Sequence, residues 1–103
     1  MNSREKGKRG ERELARKLRE YGHDCRRGQQ YCGGNGDADV VGLRGLHIEV
    51  KRVEALNIHK AVNQAIGDAK AGEIPVVMHR KNGEKWLVTM TLDDFMEIWK
   101  CQK

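Results

Sequence analysis

GDADVVGLRGLHIEVKR, Gly36 to Arg52, contains two apolar runs of strand length that carry acids and a lysine among their hydrophobic residues. Asp37 and Asp39 lead into Val40-Val41, while Glu49 and Lys51 interleave with Ile48 and Val50. The pattern predicts two strands, 39–43 and 46–51, joined by a tight turn at Arg44-Gly45. Side chains alternate across a strand, so Glu49 and Lys51 share one face and Ile48 and Val50 the other. Paired as a hairpin, these strands bring Asp39 towards Glu49, and two carboxylates and one ammonium converge. Carboxylate oxygens suit hard divalent cations such as Mg²⁺ or Mn²⁺. A metal held there could polarise a phosphodiester and acidify an attacking water, and the lysine could orient that water or steady developing charge. The competing reading leaves Glu49 and Lys51 on the solvated face of an antiparallel strand.

Outward from this stretch, residues 3–22 read as a helix, with Leu14, Leu18 and Tyr21 at helical spacing and Gly22 as the stop. Residues 24–28 read as a short strand, followed by the Gly-rich GQQYCGGNGD. Ile58, Ala61, Val62, Ala65, Ile66 and Ala69 form an amphipathic stripe, closed by Gly72. Strands 74–79 and 85–90 flank Asn82-Gly83, a hairpin signal. Leu92 to Trp99 reads as a last helix capped by Thr91, with Asp94 three residues on. The order is α-β-β-β-α-β-β-α. The helix between the third and fourth strands is long enough for a crossover, so a mixed five-stranded sheet flanked by helices is expected.

The chain has 103 residues, the size of one domain, and 1–103 is read as such. Charged residues make up 34% and hydrophobic residues 38%, which suggests a modest core and a large working surface or a homodimer interface. The net charge of +5 favours a polyanionic partner such as nucleic acid. The excess is uneven: Arg4, Lys6, Lys8, Arg9 and Arg12 crowd the N-terminus, with Arg26 and Arg27 following. A solvated basic face is the plainer reading of charge alone. Three cysteines, none in a CxxC, argue against a disulfide scaffold or zinc ribbon and fit a reduced cytoplasm. No stretch has the form of a signal peptide or membrane span.

The first helix offers a discriminator. At about 100° per residue, Glu11 falls on the stripe of Leu14, Leu18 and Tyr21, while Glu13 points away with Lys17 and Glu20. An acid on a buried stripe is costly unless it is paired or binds a cation. Glu11 is therefore placed for a site and Glu13 for the surface.

KGKRGERELARKLREYG, GDADVVGL and HIEVKR together resemble the PD-(D/E)xK nuclease superfamily, specifically the small Holliday-junction resolvases of archaea and phages. The resemblance runs from Lys6 to about Leu92. It implies a restriction-endonuclease-like α/β fold and Mg²⁺- or Mn²⁺-dependent cleavage of DNA, most simply a four-way junction resolved by a homodimer. It puts the helix acid at Glu11, the metal-binding aspartate at Asp39 and the ExK pair at Glu49 and Lys51. Lys6, Lys8, Arg9, Arg12, Arg26 and Arg27 are the candidate DNA contacts. In VNQAIGDAKAGEIPVVMHR it puts a glutamine near the site at Gln64. On a regular helix Gln64 lies about 130° from the apolar stripe, which suits a surface or substrate contact better than a metal ligand. The proline usual before the aspartate is Ala38 here, and Asp37 is an additional acid.

Flap or fork DNA is the alternative substrate, and a non-cleaving DNA-binding module the alternative class. His23, Cys25 and Cys32 fit no common metal spacing. His47, His59 and His79 read as structural or surface, His59 being nearest to a substrate role. Trp86 and Trp99 read as core or dimer contacts. Gly33–Gly36 lacks the GK[ST] of a phosphate loop and would let backbone approach DNA.

Overall fold

The computed structural model describes residues 3–29 and 38–102. Asp37, Cys32 and Gly33–Gly36 lie outside them. The elements are α1 (Ser3–Glu20), β1 (Arg26–Arg27), β2 (Val40–Val41), β3 (Leu46–Arg52), α2 (Ile58–Asp68), β4 (Ile74–Arg80), β5 (Leu87–Thr89) and α3 (Leu92–Lys100). The strands form one mixed sheet in the order β1-β2-β3-β4-β5. β3 and β4 are parallel and joined through α2, and the other neighbours are antiparallel.

Alternation along β3 and β4 sorts the core into two layers. Ile48, Val50, Val76 and Met78 face α1 and pack with Leu14, Ala15, Cys25 and Val40. Val77 faces the other way, against Ala61 and Ala65 of α2. The same alternation sends His47, Glu49 and Lys51 to the α2 side of β3. Thr91 Oγ1 accepts from the Asp94 amide, the cap expected for the last helix, and α2 is begun in the same way by Asn57 Oδ1, which accepts from the Lys60 amide.

Several boundaries differ from the sequence expectation. β1, β2 and β5 are shorter because their flanking residues leave the ladder. α2 ends at the Ala69 cap, and Gly72, with φ +87°, serves the turn into β4 instead. In the β4–β5 hairpin only Gly83 has positive φ (+79°); the Glu84 amide donates to the Lys81 carbonyl across a loop of more than two residues.

Two glycines are required by close approach. A Cβ at Gly10 would lie 2.6 Å from Arg52 Cβ, so α1 can dock on β3 only because position 10 has no side chain. Gly42 has φ +125°, and a Cβ there would lie 2.6 Å from the Asp24 carbonyl oxygen.

Candidate active site

Asp39 is clamped by backbone on both sides. Its amide donates to the Ile48 carbonyl (3.0 Å), and its carbonyl accepts from the Gly28 amide (2.9 Å). Its own Oδ2 accepts from the Val50 amide (2.9 Å), fixing the carboxylate against β3. Glu49 is 5% exposed, and its carboxyl adjoins that of Asp39. Burial first, then the Asp39 charge, push the Glu49 carboxyl up to about 7. Lys51, half-buried on the same face of β3, joins no ion pair among the described residues.

Glu11 reaches this centre from α1. Its carboxyl is raised by burial and by the Asp39 charge, against the opposing Arg27 guanidinium, whose Nε donates to Glu11 Oε1 at 2.9 Å. Arg27, a candidate DNA contact from the sequence, is thus engaged with the helix acid.

Glu13 is not the loose surface acid that helical periodicity predicts. Arg52 Nε donates to its Oε1 at 3.0 Å and Arg80 to its Oε2 at 2.6 Å. Burial pushes its carboxyl up, but the bonds from Arg80 and Arg52 outweigh this and hold it below the ordinary range. Periodicity gives the direction of Cβ; it does not register that arginines at the ends of β3 and β4 are long enough to reach round the helix.

The sequence places His47 among structural or surface residues, but its contacts bring it to Glu49. It is 4% exposed, with Nε2 3.0 Å from Glu49 Oε1 and Nδ1 3.6 Å from Glu73 Oε1. The signal was available: two residues before Glu49 on a strand means the same face. Asp68, at the end of α2, was not foreseen at all. His47, Glu49 and Asp68 offer ligand atoms within 4.8 Å of one another, so Glu49 stands between this group and Asp39. Gln64 is exposed, one helical turn before Asp68. His59 is exposed as well. His79 bonds Thr89 Oγ1 at 2.8 Å, and burial lowers its pKa.

Lys6, Arg9, Arg12 and Arg16 line an open groove along α1 that Arg52 closes on the sheet side. Lys8 lies 3.9 Å from Glu5, and Arg26 is exposed on β1. Cys25 is buried and Cys101 exposed, both as free thiols. No helix among the described residues is long and apolar enough to cross a membrane.

An open mixed sheet flanked by helices, with an acid pair and a lysine on adjacent central strands, is a restriction-endonuclease-like nuclease fold. Residues 2–102 match the family described as "Phage putative PDDEXK endonuclease", and the chain belongs to that family. Its fold is similar to that of Hjc, a Holliday junction resolvase from the archaeal hyperthermophile Archaeoglobus fulgidus. The match has a TM-score of 0.55 and 26% identity over 82% of this chain and 72% of that one. Comparison with curated proteins finds no match.

Proposed function

We propose that this chain, as a single domain over residues 1–103, is a metal-dependent endonuclease that cleaves branched DNA, with the four-way junction as its substrate. The observation that carries the reading is the adjoining Asp39 and Glu49 carboxyls, with Glu49 pushed up to about 7. Two carboxyls held together away from water repel when both ionise, and a hard cation relieves that repulsion. The donor set therefore fits Mg²⁺ or Mn²⁺, with Asp39 and Glu49 as ligands and Glu11 beside them. Bound there, the cation supplies Lewis acidity at the phosphodiester and a more acidic water.

The chain's own groups do the rest. The Val50 amide fixes the direction of Asp39, and His47 that of Glu49. Arg27 holds Glu11 against the β1 edge. Lys51 carries its ammonium to the same face of β3 as Glu49, where it would orient the attacking water and steady charge on the phosphate. Lys6, Arg9 and Arg12 would grip the phosphodiester backbone along the α1 groove, with Lys8, Arg26 and Gln64 as outer contacts.

A junction substrate is favoured by the similarity to Hjc. Resolving a junction takes two symmetric nicks, and one chain carries one site, so the active species is a homodimer. The test is incubation with end-labelled four-way junction, fork, flap, duplex and single strand, with and without Mg²⁺. Paired symmetric nicks in the junction alone support the reading. Cleavage confined to flap or fork moves the substrate, and binding of all forms without cleavage makes the chain a DNA-binding module.

A further inference from the structure

Glu49 stands between Asp39 and a second set of donor atoms, and this set includes nitrogen. His47 and Glu49 share one face of β3 and are both buried. His47 Nε2 lies 3.0 Å from Glu49 Oε1. Asp68, exposed at the last residue of α2, adds a carboxylate, and the ligand atoms of all three lie within 4.8 Å of one another. Two donors about 2.1 Å from one cation and at right angles to each other stand roughly 3.0 Å apart. His47 and Glu49 already have that separation. Two further observations point to a cation rather than to a buried ion pair alone. On the far side of the ring, Nδ1 lies 3.6 Å from Glu73 Oε1, and that oxygen accepts from the Lys70 amide at 2.8 Å. A carboxylate behind the second ring nitrogen is the usual support of a metal-bound histidine. Asp68 closes α2, where the negative end of the helix dipole disfavours an acid, and the last turn carries no basic residue. Three carboxylates thus converge on one imidazole, and even a protonated ring leaves negative charge uncompensated.

We infer that His47, Glu49 and Asp68 form a second cation site, one that takes a borderline d-block ion such as Zn²⁺ or Co²⁺ through an imidazole nitrogen and two carboxylates. Imidazole suits these ions, whereas Mg²⁺ keeps to oxygen. The all-oxygen pair of Asp39 and Glu49 has the opposite preference, so ligand chemistry separates two cations that have Glu49 in common. The ion replaces the proton shared between Nε2 and Oε1, which leaves to solvent, while Nδ1 keeps its proton and directs it at Glu73. Three protein ligands leave the remaining coordination positions to water. Asp68 lies at the mouth, where its exposed side chain closes the site by rotating inward. The inference does not rest on the nuclease reading: the ion should bind whether or not the chain cuts DNA.

The test adds Zn²⁺ to the full chain in excess Mg²⁺, without DNA, and follows the histidine ring nitrogens by NMR. His47→Gln assigns the His47 signals. Zn²⁺ should shift His47 Nε2 and leave the rings of His23, His59 and His79 in place. Asp68→Asn changes an exposed position, so it should fold as the wild type does and weaken Zn²⁺ at His47 at least about tenfold; Glu73→Gln should weaken it by about tenfold as well. Asp39→Asn should keep the His47 shift, because Asp39 is no ligand of this ion. Zn²⁺ that never reaches the His47 ring overturns the inference, as does an affinity that Asp68→Asn leaves unchanged. So does a His47 shift that excess Mg²⁺ reverses or that Asp39→Asn abolishes, since the ion would then belong to the Asp39–Glu49 centre. None of these readouts is cleavage, so a chain that passes them and cuts nothing loses only the nuclease reading.

Discussion

Glu49→Gln should make the metal-free protein more stable, and only above a defined pH. Burial and the neighbouring Asp39 carry the Glu49 carboxyl from its ordinary 4.5 to about 7 in the folded chain. Between those values the folded state keeps a proton that the unfolded state has released, so unfolding free energy falls as pH rises through the window. At about 1.4 kcal/mol per pH unit, the loss is on the order of 3 kcal/mol once pH exceeds the folded value. Glutamine has the same shape and no charge, so the variant should lack this slope. Part of the gain is returned through the weakened contact with His47, 3.0 Å away in the wild type. For a domain of about this size a kilocalorie moves Tm by roughly 4–8 °C, so a gain on the order of 10 °C is expected at pH 8. At pH 5 the two proteins should melt together. The assay is thermal unfolding by circular dichroism in EDTA from pH 5 to 8.5. Parallel Tm–pH curves for variant and wild type would refute the clustered-carboxyl account of the site.

Mg²⁺ or Mn²⁺ should raise the wild-type Tm at pH 8 and leave Glu49→Gln nearly unmoved, while EDTA should abolish cleavage; cutting at full rate in EDTA would contradict the metal role. Asp39→Asn keeps an oxygen for the Val50 amide and removes the charge. It should lose cleavage by orders of magnitude yet hold junction affinity within a few fold, as read by gel shift in Ca²⁺. Glu13→Gln should cost on the order of 1 kcal/mol, its bonds to Arg52 and Arg80 being partly solvent-screened, with little change in turnover; chemical denaturation and single-turnover kinetics measure both. Replacing Lys6, Arg9 and Arg12 by alanine should flatten the plot of log affinity against log salt by up to about three phosphate contacts, and an unchanged slope would return them to a plain solvated face.

The features legible in the sequence are those set by local periodicity. Strand alternation puts Glu49 and Lys51 on one face whatever the rest of the chain does, and the clamp on Asp39 follows from the β2–β3 pairing. Helical spacing finds Glu11 beside Leu14, and the cap at Thr91, which accepts from the Asp94 amide, follows from local chemistry. What escaped depends on distance in space. Glu13 is held by Arg52 and Arg80 from two different strands, and Asp68 reaches Glu49 only because α2 runs back along β3. Tyr21 shows the opposite failure: it shares the spacing of Leu14 and Leu18, but α1 stops at Glu20, and the ring lies 68% exposed, with Lys17 Nζ 5.8 Å from its centroid. The stripe of α3 has an ordinary pattern, and only the packing of the chain decides that it points outward.

The contact of Gly10 with Arg52 also bears on how this sequence can drift. Arg52 is the residue that excludes any side chain from position 10, and it is also one of the two that hold Glu13; Arg80 is the other. The closest clash is with the Arg52 Cβ, which every residue but glycine keeps, so a side chain at 10 is admissible only with glycine at 52, and glycine there leaves Glu13 to Arg80 alone. Positions 10, 13, 52 and 80 are therefore epistatic: change at one alters which changes the others tolerate. The linkage reaches the acid centre through the peptide bond between Gly10 and Glu11, since lifting α1 at one residue displaces the next. Substitutions outside the Asp39–Glu49 centre would thus be filtered through the position of a single carboxylate.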